Sequence, residues 1–136
     1  MAGLNYKKPH YTKDEWWFND QDISTADHTY ASSWLDTGEG GQNGSISVTV
    51  VCKDDITSNY NYINIDIETD DDATGSSSNL IVRQIIANGA TFKSDDIIYR
   101  FVLPPQSQRY VKVIIVTGTT GTGSGSVDVV PEYMPR

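Results

Sequence analysis

The residues best suited to chemistry lie in the run NIDIETDDDATGSSSN, residues 64–79, where five of the seven residues from Asp66 to Asp72 are carboxylates. Such density suggests a calcium loop, because a hard cation takes six to eight oxygen ligands. With Asp66 at the first position of an EF-hand loop, the sixth position needs Gly and the twelfth Glu, whereas the sequence supplies Asp71 and Ser77. Period 2 also sets Asp66 and Glu68 on the outer face of a strand and leaves Asp70, Asp71 and Asp72 in the loop. We read the run as a solvated hairpin tip that protects a sheet edge, with no metal site. Replacing Asp70, Asp71 and Asp72 by Asn is accordingly expected to be almost neutral. The glycine-rich GTTGTGSGS (118–126) lacks the GK[ST] ending of a phosphate loop and precedes a strand, so it reads as a long flexible hairpin loop. The two histidines, His10 and His28, lie in unpatterned sequence, no serine occupies a G-x-S-x-G elbow, and no carboxylate pair stands out among the many acids. No catalytic residue, metal or cofactor is expected, and the chain does not read as an enzyme. Cys52, the single cysteine, sits in a hydrophobic run and reads as a buried, inert thiol; it excludes an internal disulfide and fits a reducing compartment.

A net charge of −8 argues against nucleic acid as a partner, since phosphate binding needs concentrated Lys and Arg. No apolar run approaches the roughly 18 residues of a membrane span, and MAGLNYKKPHY has no apolar signal-peptide core. Synthesis in the cytosol, without export or a membrane anchor, is expected. A chain of 136 residues, 38% hydrophobic and 21% charged, forms one folded domain.

The elements follow from the hydrophobic pattern. SISVTVV alternates Ile46, Val48 and Val50 with small polar residues, and YINIDIE alternates Ile63, Ile65 and Ile67 with Asn64, Asp66 and Glu68. Each is a strand with one buried face. LIVRQIIA (80–87), IIYRFVL (97–103), RYVKVIIVTG (109–118) and SVDVV (126–130) are further β-branched runs, with Val111, Val113 and Ile115 also assigned to the core. Turn-formers separate them, and no helical stripe is present. Seven or eight strands of this kind predict an all-β, antiparallel jelly-roll or β-sandwich over residues 21–136.

The first 30 residues show neither period, so residues 1–20 are expected to form an extended N-terminal arm outside the core, and the sandwich to fold without residues 1–17. Residues 1–13 contain Lys7, Lys8 and Lys13 with Tyr6, His10 and Tyr11 and no acid, while residues 14–39 contain seven acids and no Lys or Arg. EWWFND joins the two zones. Trp16, Trp17 and Phe18 cannot all face one side of a strand, so they either cap the chain's own core or anchor a partner. Lys7, Lys8 and Tyr11 would assist that anchor, and Pro104 and Pro105 of LPPQSQRY stiffen a second candidate contact loop. These eight residues are the candidate contacts with a partner or with a second copy.

FNDQDISTADHTYASSWLDTGEGG (18–41), the strand and loop from Ile63 to Asp72, the hairpin from Phe101 to Val113 and the Gly/Thr-rich turn before the last strand resemble the jelly-roll capsid cement (decoration) proteins of tailed bacteriophages, short-tailed ones especially. The resemblance covers about residues 18–131 and leaves the basic-aromatic arm without a counterpart. It implies a structural virion protein without enzymatic activity, made in the host cytoplasm, that sits on the outer capsid surface and clamps neighbouring major capsid protein subunits as a homo-oligomer, a homodimer being favoured over a trimer. An acidic body suits the outside of a shell better than its DNA-lined interior. Two other classes stay open: a carbohydrate-binding β-sandwich with Trp16, Trp17, Trp34 or tyrosines as sugar platforms, and a glycoside hydrolase built on the same fold.

Overall fold

Alternation of apolar and polar side chains dominates the architecture, a computed structural model that describes residues 16–37, 46–72, 78–87, 91–103 and 109–133. The described chain contains ten strands and no helix: β1 Phe18–Asp22, β2 Thr29–Ala31, β3 Leu35–Asp36, β4 Ile46–Ser58, β5 Tyr62–Asp70, β6 Asn79–Ala87, β7 Thr91–Phe92, β8 Ile97–Val102, β9 Tyr110–Thr117 and β10 Gly123–Tyr133.

The strands pair as a long hairpin would. β1 pairs with β10, β2 and β3 with β9, β4 with β8, and β5 with β6, all antiparallel. Rolling that hairpin up adds the β10–β4 and β9–β5 pairings, which close two five-stranded sheets. One sheet runs β1-β10-β4 and then β7 and β8 end to end; the other runs β2 and β3, then β9-β5-β6. The result is an antiparallel β-sandwich with jelly-roll strand order.

Every residue assigned to the core by period 2 packs there. Val48, Val50, Ile63, Ile65, Ile67, Val111, Val113 and Ile115 are buried, and Ile46 packs against them half-buried at the start of β4. β9 shows the reason: Val111, Val113, Ile115 and Thr117 point inward while Tyr110, Lys112, Ile114 and Val116 point out. Each such aliphatic side chain contributes roughly 1.5–3 kcal/mol when fully buried.

The N-terminal boundary differs from expectation. β1 belongs to the first sheet, and Trp17, Phe18 and Ile23 are core residues, so the sandwich includes residues assigned to the arm. The pattern was hidden by an irregularity. The β1–β10 register shifts between Phe18 and Gln21, and Asp20 adopts a φ of 57°, which breaks the alternation that a regular strand writes into sequence.

The Gly/Thr-rich segment also departs from the expected long loop, because β10 already begins at Gly123. Its glycines serve close packing. A Cβ at Gly123 would stand 2.7 Å from the Tyr60 ring, and Gly125, at φ 109°, sits at a register shift against β4 where a Cβ would meet the Asp55 carbonyl oxygen at 2.6 Å.

Candidate interaction surface

The carboxylate run is more structural than a solvated tip. Asp66 does lie on the outer face of β5, yet only 5% of it is exposed, because Arg83 sits directly opposite on β6. The guanidinium donates Nε–H to Oδ1 at 2.8 Å and Nη2–H to Oδ2 at 2.9 Å. This bidentate pair raises the Arg83 pKa further above its ordinary value. Asp70 is the last residue of β5 rather than a loop residue; it is fully buried and accepts the Asp72 backbone N–H at 2.8 Å. Only Asp71 and Asp72 of the three are exposed as expected. The reason is length: β5 continues two residues past Glu68 to pair Asp70 with Tyr110.

Of the eight candidate contact residues, Lys7, Lys8, Tyr11, Pro104 and Pro105 lie outside the described residues. Trp17 and Phe18 are buried in the chain's own core, and Trp16 is half-buried beside them. Trp17 connects the two sheets: its backbone N–H donates to the Val129 carbonyl at 2.9 Å and its indole Nε1–H to the Val111 carbonyl at 2.8 Å. The choice that the sequence left open between core and anchor falls to the core for Trp17 and Phe18.

The fold does bring separate candidate segments to one end of the sandwich. Near the carbonyl of Val111, where Trp17 docks, Thr37 donates its N–H and hydroxyl to the Arg109 carbonyl at 2.9 and 2.7 Å. Arg109 pairs with Asp36 through two 2.8 Å hydrogen bonds and lies 5.3 Å from the centroid of the Tyr110 ring. Leu103 is buried and donates its N–H to the Ile46 carbonyl at 2.9 Å. The residues on either side of 38–45 and of 104–108 therefore share this end with Trp16. At the opposite end, Asn59 and Thr122 close the turns on each other, the Thr122 N–H donating to Asn59 Oδ1 at 2.7 Å.

Two features bear on the other classes considered. Trp17 is enclosed and offers no face to a sugar, and the Lys112 ammonium lies over one face of the Trp34 ring, 4.9 Å from its centroid. An acidic cleft of about 450 Å³ is lined by Asp20, Asp22, Asp54 and Asp55. Its carboxylates serve local structure: Ser126 Oγ donates to Asp20 at 2.7 Å and to Asp54 at 3.2 Å, and the Ser24 hydroxyl and N–H hold the Asp22 carboxyl below the usual carboxylate range. Among the described residues, no group of three or more His, Cys, Asp or Glu is arranged to hold a metal ion.

Sequence reasoning missed one surface. Leu80, Ile85, Ile97 and Val102 are the large apolar side chains left exposed among the described residues, and all lie on β6 or β8. The unalternating LIVRQIIA was the available signal, since a strand with a solvated face should carry polar residues at every second position. Compared with known proteins, the chain matches no family model and no curated protein.

Proposed function

We propose that this chain is a structural protein of a bacteriophage head, bound to the outer surface of the shell and cementing neighbouring major capsid subunits. The observation that carries the reading is the convergence at one end of a jelly-roll sandwich of Trp16, the Asp36–Arg109 pair and the residues bordering 104–108. Segments far apart in sequence thereby present one composite face, on the fold that the resemblance to cement proteins implies. The basic first 13 residues precede this end directly and carry the charge opposite to that of the acidic body. They suit an acidic patch on a neighbouring subunit, with steering that weakens as salt rises. Many copies on a closed shell give large total stabilisation from modest individual contacts.

Co-sedimentation with assembled phage shells tests the proposal. Purified protein should pellet with shells in saturable, many-copy stoichiometry and should raise the temperature at which shells rupture. Failure to bind intact shells at micromolar concentration would overturn it.

A further inference from the structure

The two long sides of the sandwich are finished differently. On one side the sheet edges are β1, β2 and β3, of five, three and two residues. β1 carries Asp20 and Asp22 and a register shift, so this side has the short length, charge and irregularity that keep natural edges from pairing. On the other side the edges are β6, with nine residues, and β8, with six. Ile86, Phe92 and Ile98 line the same apolar void of about 10 Å³ in the core, so the β6 edge lies over the β7–β8 edge.

Among the described residues this second side is less protected: β6 and β8 are longer than the edges opposite, and their register shifts, at Ile81 and Ile98, leave residues 82–87 of β6 regularly paired. The one charged residue of β6, Arg83, is held by Asp66, and that of β8, Arg100, is held by Glu132 at 2.8 Å. The side also gathers the exposed apolar residues: Leu80 is 49% exposed, Ile85 59%, Ile97 53% and Val102 44%. An edge of this length and polarity presents unpaired backbone donors and acceptors beside apolar side chains. Its complement is another extended, largely apolar strand whose single charge is already paired, and β6 of a second copy has that character, with Arg83 held by Asp66.

We infer that the β6–β8 side is a self-association surface, on which β6 pairs antiparallel with β6 of a second copy about a two-fold axis normal to the sheets. Between residues 82 and 87 the pairing with β5 is regular, with Val82, Gln84 and Ile86 opposite inward residues and Arg83 and Ile85 on the outer face. Opposed residues of an antiparallel pair share a face, so the axis passes through a residue rather than between two. An axis at Gln84 sets Ile85 of one copy against the aliphatic stem of Arg83 of the other and Val82 against Ile86, and no like charges meet. An axis at Arg83 would oppose two guanidiniums. The isologous geometry closes at two copies. This inference concerns the free protein and stands apart from capsid attachment.

Sedimentation equilibrium on the full chain tests it, combined with hydrogen exchange at several concentrations. The expected mass is twice the 15.0 kDa of one chain, and amides of residues 79–87 should become protected as concentration rises. Ile85→Lys, at a position exposed in the single copy, should weaken association at least tenfold while leaving the far-ultraviolet circular dichroism spectrum unchanged. A chain that stays monomeric at high micromolar concentration, a trimeric mass, or a dimer whose β6 amides exchange equally at all concentrations would each overturn the assignment; the exchange measurement needs no variant.

Discussion

Trp17 shows how much one side chain can fix. It fills the core beside Phe18 and its indole N–H satisfies the Val111 carbonyl, so it joins the first strand to both sheets. Trp17→Ala removes that volume and leaves a buried carbonyl without its donor. The expected loss is about 3–5 kcal/mol in urea denaturation, whereas Trp16→Ala, at a half-buried position, should cost less than half as much. Equal losses would show that both indoles are core. The carboxylates divide in the same way. Asp71→Asn should change stability by no more than about 0.5 kcal/mol, as exposed substitutions do. Asp70→Ala should cost about 1–3 kcal/mol, because the Asp72 N–H loses its acceptor. A loss at Asp70→Ala beside a neutral Asp71→Asn would show that Asp70 is the one residue of the three that does not belong to a solvated tip, and separate melting curves for the two single variants check it.

At the scale of elements, β1 determines where the chain can be cut. Its hydrogen bonds to β10 and the burial of Trp17, Phe18 and Ile23 make it part of the sandwich. A chain starting at Trp16 should keep its β spectrum and melt within a few degrees of the full protein. Removing residues 1–22 takes two core aromatics, each comparable to a Phe or Trp truncation of about 3–5 kcal/mol, against a typical total of 5–15 kcal/mol. That truncation should not fold cooperatively in thermal denaturation followed by circular dichroism. A cut after residue 17 removes Trp17 and belongs with the damaging truncations. If the chain lacking residues 1–22 melts as sharply as the full protein, β1 is an ornament of the edge and the core closes without it.

Above neutral pH the molecule's response is carried by protonated groups that the fold desolvates. Burial pushes the Cys52 thiol up, with Asp55, Asp96 and Asp54 adding to the effect, and burial also raises the Tyr60 and Tyr99 hydroxyls. Tyr60 Oη–H is further committed to the Ile23 carbonyl at 2.7 Å. Folded pKa values above the unfolded ones mean that the folded chain holds protons that the unfolded chain releases. The stability from these groups is complete below the ordinary thiol range, about 8.5, and is lost as pH rises through the raised folded values. The urea midpoint should fall between about pH 7 and about pH 10, and Cys52 should react with a thiol reagent slowly in the native state and quickly in urea. A midpoint that rises over this range would contradict the assignment.

The sequence by itself determined the sheet class and the inner faces, because period 2 is a local property: Val111, Val113 and Ile115 are separated by the same geometry wherever β9 lies. It could not reveal β1, whose irregular backbone erases the alternation, nor the status of Asp66 and Asp70, whose burial depends on Arg83 and Tyr110 across the sheet. Of the candidate contacts, the aromatics were legible as apolar anchors; that Trp17 and Phe18 anchor their own core was decided by the carbonyl of Val111, which approaches only when β9 and β1 are brought together. The exposed flank of Leu80, Ile85, Ile97 and Val102 was signalled only in part, by the unalternating LIVRQIIA. Which strand ends as an edge follows from how the hairpin rolls up, and non-local pairing of that kind leaves no spacing in the chain to read.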